Sequence, residues 1–250
     1  MIHIKTAEEI QKMRLAGQLL ARTHEMIIPY IKDGISTFEL DAIIEDFILT
    51  NNAIPSFKGY GGFPASACIS TNDIVVHGIP SKDIILKDGD IVGIDIGVIV
   101  DGWHSDAART HAVGKITGRD TKLIENTKEC FFKGIATIKD GTYLGDISAT
   151  IQSYAEQQGY GVVRDLSGHG IGKKLHEAPQ VPNFGQTGTG IKLKKGMTLA
   201  IEPMINQGTY KVYQDSDQWT IRTQDGQNSA HYENTIVVTD TGVEILSILN

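Results

Sequence analysis

Apolar residues recur along this chain at two different spacings, and the points where the spacing changes divide it into elements. From Thr6 onward, Ile10, Met13, Leu20 and Ile27 keep to one helical face. Thr6-x-x-Glu9 precedes them as a capping box, in which a hydroxyl and a carboxylate satisfy free amides at the helix start. The run ends at Ile31-Lys32-Asp33-Gly34, a tight turn. After it, Leu40, Ile44 and Phe47, spaced i, i+4, i+7, predict a second amphipathic helix. Helical spacing then gives way to continuous apolar runs. Ile91–Val100 lacks clean alternation, as a strand does when both faces are covered within one shared sheet.

The pattern then starts again. Ile138-Lys139-Asp140-Gly141 repeats the turn 107 positions later, and Ile147, Ile151 and Tyr154 repeat the face that follows it. A helical segment from about Asp120 through Ile124, Phe131 and Ile138 leads into this second turn. The same offset relates Leu86-Lys87-Asp88-Gly89 and the run ending at Asp95 to Leu193-Lys194-Lys195-Gly196 and the run ending at Glu202. Each is a glycine-containing turn feeding an apolar strand that ends in a carboxylate. His77-Gly78-Ile79-Pro80 likewise resembles His176-Glu177-Ala178-Pro179, with a loop-length difference absorbed nearby. Each half reads helix, helix, strand, loop, strand. The expectation is an α/β (α+β) protein with a pseudo-twofold repeat, one domain over 1–250 with halves at about 6–112 and 113–245.

Composition narrows the function classes. With 250 residues, 40% apolar and 21% charged, the chain is long enough for a sizeable core and is not a disordered one. Its formal net charge is -7 and no stretch concentrates Lys and Arg, which argues against a dedicated nucleic-acid binder. Cys68 and Cys130 stand in no metal-finger spacing and read as reduced thiols. The N-terminus lacks the basic start and apolar run of a signal peptide, and no later run reaches the length of a membrane span. The expected compartment is the cytoplasm.

The repeat itself implies chemistry. A twofold brings equivalent strands together at its axis, so Asp95 should face Glu202. A second strand from each half adds Asp106, in Trp103-His104-Ser105-Asp106, and Glu233, in Ala230-His231-Tyr232-Glu233. The greater spacing in the second half falls in the hydrophilic loop Gln207–Gln227. Four buried carboxylates either share protons or neutralise a cation. In Ser167-Gly168-His169-Gly170, glycines on both sides of His169 let the backbone approach closely and aim the imidazole as a nitrogen donor. One imidazole in an oxygen-rich set suits divalent Mn, Fe, Co or Zn in a two-metal hydrolytic site, not a thiolate-bound structural zinc.

These residues carry a resemblance. Asn72-Asp73-Ile74-Val75-Val76-His77-Gly78-Ile79-Pro80, Asp95 and Asp106, Ser167–Gly172, His176-Glu177-Ala178-Pro179, Ile201-Glu202-Pro203-Met204 and Tyr232-Glu233-Asn234-Thr235 are similar in order and content to type I methionine aminopeptidases of the short bacterial kind. That family belongs to the M24 metallopeptidases. The resemblance implies the pita-bread fold, with a central curved antiparallel sheet covered by helices. It also implies two divalent metal ions: Asp95 chelates one, Asp106 and Glu233 bridge both, and His169 and Glu202 complete the second. Glu202 would take the proton of the attacking water and pass it to the leaving amine. His176 would donate to the oxyanion, and His77 would bind the leaving-side peptide group. The substrate's free α-amine would take an open metal position, and its methionine side chain a pocket of Phe57, Tyr60, Phe63, Cys68 and Trp219, with His77 and His176 at the mouth.

The implied substrates are N-terminal methionine peptides and nascent chains, with a small second residue preferred. A monovalent cation near Asn72 and Ser229 and a monomeric state are implied as well. The chain departs from the family at Lys58, where a leucine is usual, at Gly61, where a histidine is, and at Phe57, near a usual cysteine. These departures bear on pocket shape. Lys211 and Arg222 stand against Asp215, Asp217 and Asp225 in 207–227, so that segment offers no basic patch for docking on a ribosome. Two other readings share the fold. One is a proline-directed aminopeptidase or prolidase, whose usual additional N-terminal domain has no room before a repeat that begins near residue 6. The other is a non-catalytic binding relative, and such relatives have lost metal ligands that are all present here.

Overall fold

The computed structural model describes residues 2–249. Helices α1 (Ala7–Ile27) and α2 (Thr37–Thr50) are followed by strands β1 (Ile54–Pro55), β2 (Ala67–Thr71), β3 (Ile74–Val76), β4 (Ile91–Val100) and β5 (Trp103–Ala112). Helices α3 (Gly118–Ala136) and α4 (Leu144–Gln157) come next, then β6 (Gly161–Val162), β7 (Ser167–Gly170), β8 (Glu177–Pro182) and β9 (Thr198–Ile201). The chain closes with β10 (Met204–Asn206), β11 (Val212–Gln214), β12 (Ile221–Thr223), β13 (Ser229–His231), β14 (Asn234–Val238) and β15 (Val243–Ile245).

The helices begin where polar side chains satisfy their free amides. Thr6 Oγ1 accepts from Glu9 N at 3.2 Å while Glu9 returns a bond to Thr6 N at 2.9 Å. Ser36 and Glu39 do the same for α2. The start of α3 lies two residues before its expected place, because Thr117 accepts from Asp120 N and serves as the cap. The faces of α1 and α2 then bury Leu20, Ile27, Leu40 and Ile44 against Val92, Ile94, Ile96 and Val98 of β4. In the second layer, Phe131, Ile147 and Ile151 of α3 and α4 pack on Leu199, Ile201 and Ile236.

Hydrogen bonds around the two turns recur at the 107-residue offset. Gly34 N donates to Leu86 O (2.9 Å) as Gly141 N does to Leu193 O (2.8 Å). Leu86 N donates to Ile35 O and Leu193 N to Thr142 O, both at 2.8 Å, and Asp33 and Asp140 accept from Asp88 N and Lys195 N. Both turn glycines sit at φ near +89°, a region that L side chains rarely adopt.

All the sheets are antiparallel. One ladder joins β1, β4, β5 and β2; another runs β15-β14-β9-β7-β8. They are separate ladders, not one continuous sheet, and a reciprocal backbone pair between Ala108 and Glu233 bonds them at the centre (3.0 and 3.4 Å). Arg109 reinforces this seam, donating to the carbonyls of Glu233 and Ala108 and to Asn234 Oδ1. The segment 207–227 differs from the expected loop. It holds the β11–β12 hairpin, whose second strand pairs with β3 and so carries Trp219 across to the first half.

Candidate metal centre

Strand register sets where each carboxylate stands. Asp95 does not end its strand: β4 continues to Val100 before a turn at Asp101-Gly102, both at positive φ. Side chains alternate along β4, so Val92, Ile94 and Ile96 take the helix-covered face and Asp95 takes the other. Asp95 lies opposite Ala108 and Asp106 opposite Gly97, which makes the two carboxylates diagonal neighbours on one face with small residues across from each. Gly97 is required twice over, since a Cβ there would lie 2.7 Å from the Phe57 ring and from Ser56 Cβ. On the other ladder Asn234 pairs with Ile201, so Glu233 and Glu202 leave the ladder side by side.

His169 pairs with Ala200, two positions from Glu202, at a register shift in β7. The flanking glycines are steric necessities. A Cβ on Gly168 would approach Ala200 O to 2.4 Å, and one on Gly170 would approach Ala178 O to 2.2 Å. His169 Nδ1 donates to Gly170 O at 2.9 Å, leaving Nε2 as the lone-pair nitrogen. Burial and the neighbouring His176 lower its pKa to about 4, so the ring is neutral.

That lone pair faces oxygens. His169 Nε2 lies 3.8 Å from Asp106 Oδ2 and 3.7 Å from Glu202 Oε1, beyond hydrogen-bond length. Asp95 Oδ1, Asp106 Oδ1 and Glu233 Oε1 are enclosed with no hydrogen-bond partner. Burial pushes the Asp95 carboxyl up to about 7, and burial with mutual repulsion pushes Asp106, Glu202 and Glu233 well above the carboxylate range. Acceptors gathered without donors are costly unless a cation lies among them. Two donors each about 2.1 Å from one ion stand about 3–4 Å apart, which is the spacing here. Among the described residues, the donor atoms of Asp106, His169 and Glu233 all lie within 4.8 Å of one another. The residues fit a divalent metal.

The cluster lines a cavity together with Phe57, Tyr60, Phe63, Cys68, His77, Leu175, His176 and Trp219. Every residue expected at the site is therefore gathered there. Leu175 joins them without a sequence signal, being one apolar residue beside a histidine with no pattern around it. Phe63 is both core and wall: it is buried and meets Trp219 edge-on, centroids 5.2 Å apart. Cys68 pairs with Asp95 across the ladder, and burial with that carboxylate's charge pushes its thiol well up, so it is an apolar wall atom and not a thiolate. His77, at φ 60°, is driven by burial and His176 to about 4. His176 is lowered by burial, and its Nδ1 lies 2.7 Å from Tyr60 Oη.

Of the departures, Lys58 points away and pairs with Glu45, while Trp219 comes within 3.3 Å of where a Gly61 Cβ would stand. Asn72 and Ser229 meet through Ser229 N and Asn72 O at 2.9 Å. Their side chains bond Asp90, Ile91, Ile205 and Asn206. Arg222 is paired with Asp73 and Asp215.

A family model described as metallopeptidase family M24 matches residues 11–240. The chain belongs to metallopeptidase family M24. Divalent metal binding is a property of that family, in keeping with the donor set. A methionine aminopeptidase of Clostridium acetobutylicum is 54% identical over 248 residues, covering 99% of both chains. The crystal structure of methionine aminopeptidase from Rickettsia prowazekii superposes with a TM-score of 0.98 at 45% identity, over 99% of this chain and all of that one. An Xaa-Pro dipeptidase from Bacillus anthracis matches at TM-score 0.79 and 26% identity, over 99% of this chain but 62% of its own. This M24 member has the pita-bread fold of those relatives. None of its helices among the described residues is long and apolar enough to cross a membrane.

Proposed function

We propose that this M24 chain is a metal-dependent methionine aminopeptidase that releases the N-terminal, initiator methionine from peptides and nascent proteins in the cytoplasm, preferring a small second residue. The observation that carries it is the cavity: a five-donor cluster beside a wall of Phe57, Phe63, Cys68, Leu175 and Trp219. Asp95, Asp106, His169, Glu202 and Glu233 would hold two divalent ions drawn from Mn, Fe, Co and Zn. Such ions polarise a scissile carbonyl and lower the pKa of a water between them towards neutrality.

The chain's own groups supply the rest. Glu202 takes the proton of the attacking water and hands it to the departing amine. His176 donates from Nε2 to the carbonyl oxygen as charge develops there, a role suited to a neutral imidazole whose Nδ1 accepts from Tyr60. His77, also neutral, binds the peptide group on the leaving side. The apolar wall takes the unbranched thioether, and Trp219 over Gly61 closes it. The two halves work as one domain, since each contributes metal donors. A monovalent cation bound through Asn72 O would brace the seam near Ser229. With Arg222 held by two carboxylates, contact with a ribosome would use another surface.

The experiment is hydrolysis of Met-Gly-Met against X-Pro peptides by metal-reconstituted protein. Methionine release with little X-Pro cleavage is expected. Efficient X-Pro cleavage without methionine release would overturn the reading.

A further inference from the structure

One enclosed imidazole beside this cluster has no part in the mechanism above. His231, at the end of β13, is 4% exposed. Its backbone is fixed on both sides: N donates to Thr110 Oγ1 (3.0 Å), O accepts from the same hydroxyl (2.9 Å), and it pairs with Met204, two residues beyond Glu202. The side-chain Nε2 is buried and has no hydrogen-bond partner. It is aimed at the carboxylates, 3.7 Å from Glu202 Oε2 and 3.9 Å from Glu233 Oε2.

These distances are too long for hydrogen bonds and too short for indifference. They repeat the setting of His169, whose Nε2 lies 3.7 Å from the other oxygen of Glu202 and 3.8 Å from Asp106. The two imidazoles thus approach Glu202 through different oxygens at one common spacing. It is the spacing that two donors keep when they share an ion at about 2.1 Å. We infer that His231 is a further nitrogen donor to the divalent-metal centre, coordinating through Nε2 beside Glu202 and Glu233. The inference rests on the reading that this cluster holds metal. A second imidazole makes the donor set softer and favours Co, Zn or Fe over Mn more strongly than His169 alone would.

The test uses the full chain stripped of metal and titrated with Co2+ alone, followed by calorimetry and visible absorption. In His231→Gln and His231→Leu, at least one Co2+ is expected to bind about tenfold or more weakly. The cobalt absorption bands should shift, while the metal-free melting temperature shows that both variants fold. X-ray absorption at cobalt in the unsubstituted protein should require two imidazoles per metal pair. Unchanged affinity and bands in both variants, or a single imidazole at the wild-type metals, would overturn the assignment of His231 and leave the rest of the site standing. Absence of Co2+ uptake by the wild type would instead remove the metal reading, and this inference with it.

Discussion

Lys5 shows how much a single buried charge can carry. Its Nζ lies 2.6 Å from Glu177 Oε2 with 2% of its side chain exposed, and it ties the N-terminal segment to the residue after His176. Burial alone would raise the Glu177 carboxyl, but the hydrogen bonds from Lys5 and the Lys174 amide outweigh it and hold the pKa down. Removing one partner of such a pair strands the other. Lys5→Met is therefore expected to lose about 3 kcal/mol in urea unfolding, and Lys5→Met with Glu177→Leu to recover most of it. A single variant as stable as wild type would refute this. The buried histidines set the acid limit. Burial, then the Arg109 charge, lowers His111 to about 4, and burial drives His24 well below 6.5. Both are neutral when folded and take up protons when unfolded, so their stabilisation is full above about pH 6.5 and lost as pH falls towards 4. For His111 that is about 3 kcal/mol. His111→Gln should flatten the pH dependence of unfolding free energy by that amount between pH 7 and 4.

At the scale of elements, close strand approach is what places the imidazole of His169. A Cβ on Gly168 would meet the backbone oxygen of Ala200 at 2.4 Å, and a strand inside a ladder cannot yield there. Gly168→Ala is expected to cost about 1–3 kcal/mol and to weaken metal binding by displacing His169. Gly118→Ala, at the open start of α3 with nothing within 4 Å, should be neutral or slightly stabilising. Equal metal affinity in the two variants would refute the argument. The elements legible beforehand had strong local signals: a capping box before Ile10 and Met13, i, i+4, i+7 faces, and turns at Gly34 and Gly141. The five candidate donors could be picked out because the repeat pairs four of them and glycines frame the fifth. The β11–β12 hairpin was not, since its strands are three residues long and mostly polar, too short for a period to register. The repeat aligns Asp95 with Glu202 and so marks it as a strand end, although the apolar run goes on to Val100. The strand instead runs on through Ile96, Gly97, Val98, Ile99 and Val100, and of these only Gly97, opposite Asp106, is small. His231 gave no local signal, because its meaning comes from Glu202, which strand pairing brings alongside.

For the molecule as a whole, the candidate metal centre is a joint. Asp95 and Asp106 stand on β4 and β5, whereas His169, Glu202 and Glu233 come from the other ladder, and the Ala108–Glu233 pair is the backbone link at their centre. Without a cation the four carboxyls repel across that seam. Burial raises Asp95 to about 7 and the others well above their usual range. A carboxyl raised on folding contributes stability that is full below its unfolded value near 4 and is lost as pH rises through the folded value. Chelated protein should therefore lose stability between about pH 5 and 8, while metal-loaded protein should not, because the ions neutralise the same charges. At a metal concentration about 100 times Kd, binding to the folded state alone adds about 2.7 kcal/mol. The gap in melting temperature between loaded and chelated protein should thus widen as pH rises. Asp106→Asn separates the two effects: with one charge removed at the seam, the chelated variant should melt above chelated wild type at pH 8, and added Co2+ should raise it less. If chelation leaves the wild-type melting temperature unchanged at pH 8, the carboxylates do not hold the halves together through a metal. If Asp106→Asn lowers the metal-free melting temperature, repulsion at the seam is not what the ions relieve.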